Sequence, residues 1–339
     1  MPARARDDLG TDCYDCGPRD VGDEEPDSGQ VVSFSDRCLE DAVRRAISKD
    51  TGDITIGDLA SLTSLTASRV GIANLSGLEY CTNLEYLDLV DNDIVDLGPL
   101  AGLTKLKTLH LGNNLIVNIS LLADLPALEV LTLIANQVSD LGALQGMTSL
   151  LSLNVSYQLD MQIPESVEAQ QPPGFVYADH TILSDISKLA GLTGLTELRL
   201  SGNRISDISP LAGLTELRTL GLAENRFTGL TPLQGLPNLK TVFLNQNPIT
   251  DLSPLAGNTS LGEGTTLYMN CCSPDFDCDG LSTSVTQCGY VSDLEARGVS
   301  VNAGYDSKRD DEGNVVPDVE SCAVMPPILG LGSGTCDAS

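Results

Sequence analysis

With 339 residues the chain can hold two globular domains or one elongated repeat body. Forty-seven Asp and Glu against 19 Lys and Arg give a net charge of −28, which repels a phosphate backbone and sets nucleic acid and anionic membranes aside as partners. Only 4% of residues are aromatic and none is Trp, so the core has to be aliphatic, and no apolar run of about 20 residues is available for membrane insertion.

Residues 1–30 are acidic and rich in Gly and Pro, with too little apolar content to fold, and read as a disordered leader. Met1 to Asp8 carries no apolar stretch of the kind a secretory leader needs. Cys13 and Cys16 form a lone CxxC without the strand-to-helix setting of a redox motif. From Phe34 the character of the chain changes: Ser35 or Asp36 can cap a helix in which Leu39, Ala42, Val43, Ala46 and Ile47 fall at helical spacing. The spacing predicts a helical N-terminal cap within residues 31–61, hiding the apolar end of the repeat array behind it.

Residues 62–270 are repetitive. Units start at Leu62, Leu84, Leu106, Leu128 and Leu150 and again at Leu195, Leu217, Leu239 and Leu261, each series advancing by 22 residues. A period of this size marks a solenoid. In the unit from Leu84, Leu84, Leu87 and Leu89 open a short strand with alternate side chains inward, Asn92 stands at the bend, and Pro99 and Gly102 punctuate the return. The same amide recurs as Asn114, Asn136, Asn203, Asn225 and Asn247, a ladder expected to satisfy backbone groups and to be structural. Twenty-two residues leave no room for a long outer helix, so the convex side should be 3₁₀-like or irregular.

The phrase ISDISPLAGLTEL, with FSDRCLEDAVRRAI and GDITIGDLASLTSL before it, resembles the leucine-rich repeat family, and within it the 22-residue subclass of internalin-type bacterial surface proteins. The resemblance covers about residues 34–305 and implies a horseshoe solenoid: a short parallel concave sheet, a 3₁₀ convex side, a helical N-terminal cap and a cysteine-rich C-terminal cap. It also implies a binding role rather than catalysis, and a place at the cell surface.

The array has one irregular interval. Leu150 to Leu195 is 45 residues, one unit plus 23, and the surplus is placed at about 158–181, either as a binding loop carrying Phe175 and Tyr177 or as a tolerated excursion. Past Leu261 the pattern loosens. Leu267 and Met269 read as a last strand, YVSDLEARG as a helix ending at Gly298, and Val299 and Val301 as a closing strand, so that 271–306 forms a C-terminal cap. Nine of the ten cysteines lie outside the array or at its ends, as suits disulfide staples in an exported protein; for Cys271, Cys272, Cys278 and Cys288 three pairings are open. Residues 307–339, with Cys322 and Cys336, read as a flexible tail.

Several groups could carry chemistry. Asp275, Asp277 and Asp279, with Gly280 next, open a calcium loop in the manner of an EF-hand, but Thr286 stands where its bidentate carboxylate belongs; the rival reading is an acidic disulfide-bound turn. Calcium is thus the one cofactor to consider. His110 falls on the strand surface and His180 near Ser184 and Asp185, yet no GxSxG or HExxH accompanies them, so no enzyme is expected.

The concave sheet remains. Register counting sets Tyr86, Asp88, Val90, His110, Val130, Ile134, Tyr157, Arg199, Phe243 and Tyr268 on the groove, with Thr132, Asn154 and Glu197 among them. Bulky apolar groups where the monomer offers no burial suit a protein-binding face. The expectation is a monomeric, non-catalytic, exported protein that binds a protein partner, basic by charge complementarity, through this face. Two other readings stay open: an intracellular regulatory subunit, since the 22-residue phrase is also similar to a regulator of protein phosphatase 1, and a calcium-dependent wall or carbohydrate-binding component.

Overall fold

A computed structural model describes residues 28–158, 183–269 and 285–302, with the backbone of 307–309 and 315–317. Ten three-residue strands form one parallel sheet in chain order: β1 (Ser64–Thr66), β2 (Tyr86–Asp88), β3 (Thr108–His110), β4 (Val130–Thr132), β5 (Ser152–Asn154), β6 (Glu197–Arg199), β7 (Thr219–Gly221), β8 (Thr241–Phe243), β9 (Thr266–Tyr268) and β10 (Ser300–Asn302). The middle residue of each points inward, so Leu65, Leu87, Leu109, Leu131, Leu153, Leu198, Leu220, Val242 and Leu267 lie in register and buried, with Val301 at the end of the row. Parallel sheets are usually covered on both faces. Here the described residues cover one face only, because each unit returns over its own leucines and leaves the other side open.

The bend after each strand is built from two adjacent positions. The eighth residue of the unit takes a left-handed conformation in Arg69, Asp91, Asn113, Ala135, Tyr157, Gly202, Glu224 and Gln246. The ninth is the ladder amide in each of these units but the first, where it is Val70. Asn114 donates through Nδ2 to the carbonyls of Leu111 in its own unit and Leu89 in the one before, and its Oδ1 accepts from Ile94 N–H at 3.0 Å. Asn92, Asn136, Asn203 and Asn225 donate in the same way. Each amide therefore ties neighbouring units together as well as closing its own turn. At Asn247 the donors still reach Leu222 and Leu244, while Oδ1 accepts nothing.

The oversized interval differs from the sequence reading at one residue. Gln158, counted there as the start of the insertion, is buried and fills the ladder place of its unit: Oε1 accepts from Val138 N–H at 2.8 Å and Nε2 donates to Leu133 O at 2.9 Å. Its longer side chain does what Asn does elsewhere. Leu183 then stands where Ile205 stands one unit later, buried and accepting from Arg204 N–H as Ile205 accepts from Arg226 N–H.

On the convex side short 3₁₀ turns replace helices, as the 22-residue period requires. Many start at an aspartate that accepts the N–H two residues on, as Asp96 does from Gly98, Asp185 from Ser187 and Asp207 from Ser209. These N–H donors hold Asp185 and Asp207 below the usual carboxylate range.

The N-terminal end is closed by α1 (Arg37–Ala46) and a one-turn helix, α2 (Ile56–Leu59), which the helical spacing did not reveal. Asp36 caps α1 at Leu39 N–H, and its other oxygen accepts from Ala73 and Asn74 in the first unit, pinning cap to array. Leu39, Ala42 and Val43 are buried against that unit. At the other end lie α3 (Ser253–Gly257) and α4 (Val285–Ala296). Gly298 comes just past α4 at φ +84°, and Arg297 donates to the carbonyls of Ala256 and Asn258, which the last turn leaves open. A two-stranded antiparallel pair, β11 (Ser307–Arg309) and β12 (Val315–Pro317), comes after.

Candidate functional site: the open face of the sheet

Strand registry sorts the groove residues into three columns. Tyr86 and Val130 share the first with Thr108, Ser152, Glu197, Thr219 and Thr241. The second runs Asp88, His110, Thr132, Asn154, Arg199, Gly221, Phe243 and Tyr268. Val90 and Ile134 stand two residues further along, on either side of Gly112; a Cβ on that glycine would lie 2.8 Å from Ile134, so Ile134 occupies the space that Gly112 leaves.

The bulky residues are not spread evenly. Tyr86 meets His110 edge-on with ring centroids 5.7 Å apart, and His110 Nδ1 lies 3.2 Å from Thr132 Oγ1. Phe243 and Tyr268 stack face to face at 4.6 Å and 11°. All four are half-buried. Burial pushes the Tyr86 hydroxyl pKa up, with the Asp88 carboxylate adding to it. Asp88 also accepts from Val90 N–H, so its carboxylate is held at the groove surface beside the ring. In the second column between the two aromatic groups stand Thr132, Asn154, Arg199 and Gly221, with Arg199 Nε paired with Glu197 at 2.6 Å.

Tyr157 is placed differently from the other nine. It sits on the left-handed bend at φ +54° rather than on a strand, and its ring folds over Gly202 in the next unit. A Cβ at position 202 would stand 2.1 Å from that ring, which is why a glycine is needed there; Tyr157 Oη then donates to Glu224 Oε1 at 3.0 Å, one unit further on. Burial, reinforced by Glu224, pushes the Tyr157 hydroxyl up to about 12. The tyrosine bridges three units from the bend. Alternation along a strand could not reveal this, and of the seven other bend residues only Asp91, Asn113 and Gly202 are of the types that tolerate the left-handed region.

Asp275, Asp277, Asp279 and His180 lie outside the described residues. Among the described residues no three His, Cys, Asp or Glu side chains converge as metal ligands, and no helix is long and apolar enough to cross a membrane. Cys81, the one cysteine well inside the repeats, is a buried free thiol whose pKa burial raises to about 12.

A stack of 22-residue units with inward leucines, an amide ladder and an open parallel sheet defines a leucine-rich repeat solenoid. Residues 82–125, 104–146 and 215–257 match the family described as Leucine Rich repeats (2 copies), and 194–214 match Leucine Rich Repeat. Among solved structures, an internalin (inlF) from Listeria monocytogenes is 33% identical over 70% of this chain and 63% of its own, with a TM-score of 0.60. An internalin C2 (inlC2) from the same species is also 33% identical over 70% of this chain, covers 94% of its own and has a TM-score of 0.60. A TDR receptor, 17% identical over 73% of this chain and 40% of its own at a TM-score of 0.51, shares the fold alone. The chain belongs to the leucine-rich repeat family, and within it to the internalin-like proteins; it spans under two thirds of the length of inlF.

Proposed function

We propose that this chain is a non-catalytic recognition protein, monomeric, acting at the cell surface or outside the cell, and binding a protein partner through the open face of its sheet. The observation that carries this reading is the pairing of aromatic side chains, Tyr86 with His110 and Phe243 with Tyr268, on a face that the described residues leave uncovered. Binding by such a face is rigid display. The groove residues stand on strands fixed by parallel pairing, so few degrees of freedom are lost on association, and affinity concentrates in a few aromatic anchors. The excess of carboxylates steers a basic partner toward it. Location outside the cell is supported by the family and by cysteines concentrated at the ends of the array.

The test uses the full chain immobilised as bait and the protein it captures. Tyr86→Ala combined with Phe243→Ala should weaken that partner's affinity by about 100-fold or more, each anchor contributing about 2 kcal/mol. Neither side chain belongs to the core, so unfolding in denaturant should move by less than about 1 kcal/mol. Unchanged affinity in the double variant means that the partner docks elsewhere.

A further inference from the structure

The two aromatic groups are separated by a fixed distance, and that separation carries information about the partner. His110 lies in β3 and Phe243 in β8, five strand intervals apart in an unbroken parallel sheet. At about 4.8 Å per interval the inner rings stand about 24 Å apart. Every side chain between them in the central column is short or turned aside: Thr132, Asn154, the glycine at 221, and Arg199, whose charge is matched by Glu197 and whose stem leans to within 3.5 Å of where a Cβ on Gly221 would be. Such a central column admits a chain lying along the array without a third aromatic anchor, Val130 and Ile134 standing to either side of it.

The electrostatics of the array are polarised along the same direction. Residues 62–149, around the first aromatic group, contain nine Asp or Glu and three Lys or Arg, whereas 195–260, around the second, contain five of each. Within the first group Glu85 is paired with Lys107 and Asp91 with Arg69, whereas Asp88, beside Tyr86 and His110, has no ion pair among the described residues.

Resting on the protein-binding role proposed above, we propose that the partner presents one elongated polypeptide segment along the groove, with two aromatic side chains about 24 Å apart and a basic residue next to the one that reaches Tyr86 and His110. The orientation is set by charge: reversing the segment would bring its cation to the neutral half and leave Asp88 unmatched. Both anchors act on one molecule, so the second contact forms at high local concentration only when the spacing fits.

Polyproline rods, which extend about 3.1 Å per residue, serve as rulers. Peptides carrying Trp at both ends and two lysines outside the first Trp are made with 3, 5, 7 and 11 intervening prolines. The chain contains no Trp, so the peptide's own emission reports binding directly. The ruler with seven prolines, which sets its Trp residues about 25 Å apart, should bind about tenfold tighter than those with 3 or 11. Tyr86→Ala and Phe243→Ala should each abolish the length preference, and Asp88→Asn should abolish the advantage of lysine over glutamate beside the first Trp. Equal affinity at every length, or no binding at any length, overturns the two-anchor arrangement. If the natural partner nonetheless loses affinity in the Tyr86→Ala, Phe243→Ala variant, the binding face stands and only the spacing rule falls.

Discussion

Asp58 is a single side chain on which the N-terminal end of the solenoid depends. It accepts from Lys49 Nζ at 2.7 Å and from Thr55 N–H at 2.8 Å, and it completes a capping box at the start of α2. The Lys49 ammonium first, then the two Thr55 donors, hold its carboxyl at about 2. A carboxylate held below its ordinary value of 3.8 stabilises the fold above about pH 4, and that contribution is lost as pH falls toward about 2. Asp58→Asn should therefore melt below the wild type at pH 6, and the gap should close between about pH 4 and 2, where the wild type has protonated as well. A gap that stays constant over that range in calorimetric melts would show that Asp58 acts without its charge. At this scale the sequence was informative wherever a letter recurs. Asn92, Asn114 and Asn136 were legible because the same chemistry is needed at the same bend, whereas Gln158 was hidden because a longer amide meets that need under a different letter. The contacts of Tyr157 were hidden because the left-handed bend breaks strand alternation.

Among the elements, the interval of 45 residues shows how a repeat tolerates change. Gln158 closes the ladder on one side and Leu183 resumes the core on the other, so residues 159–182 take the place of one residue, the tenth of the unit, which is Arg204 and Arg226 in the next two. The flanking strands β5 and β6 pair in the same register as any other neighbours, Leu153 with Leu198. Replacing 159–182 by a single aspartate restores the 22-residue period and should leave the array folded, with a melting temperature equal to or a few degrees above that of the parent, since a shorter connection costs less closure entropy. Circular dichroism melts decide this; loss of cooperative unfolding would mean that the segment contributes to the core. The existence of the surplus was legible from the interval alone, because a period offers a standard against which length can be measured. Its starting residue was not, since Gln158 belongs by composition to the polar segment after it. The one-turn helix α2 escaped notice for a related reason: four residues are too few to display a helical period.

For the molecule as a whole, the sheet runs in chain order from β1 to β10 and each unit's ladder amide bonds only to itself and the unit before it. Stability in such an array is a sum of units and of the interfaces between neighbours, with no side chain that spans the whole. This was the level most fully legible in the sequence, since a fixed period dictates the order, direction and pairing of strands once one unit is understood. The aromatic pairings were less legible, because Phe243 and Tyr268 come together only through a unit of altered length, 25 residues from β8 to β9. Nearest-neighbour coupling has a direct consequence for damage. Leu131 is fully buried between Leu109 and Leu153, and Leu131→Ala should cost about 3 kcal/mol by opening a cavity in β4. Amide hydrogen exchange should then quicken in β3, β4 and β5, while β8 and β9, four or more strands away, keep their protection. A uniform loss along all ten strands would mean that the array unfolds as one unit. The two aromatic groups would then share a single folding equilibrium, and a lesion in the middle of the array would disable both ends of the groove together.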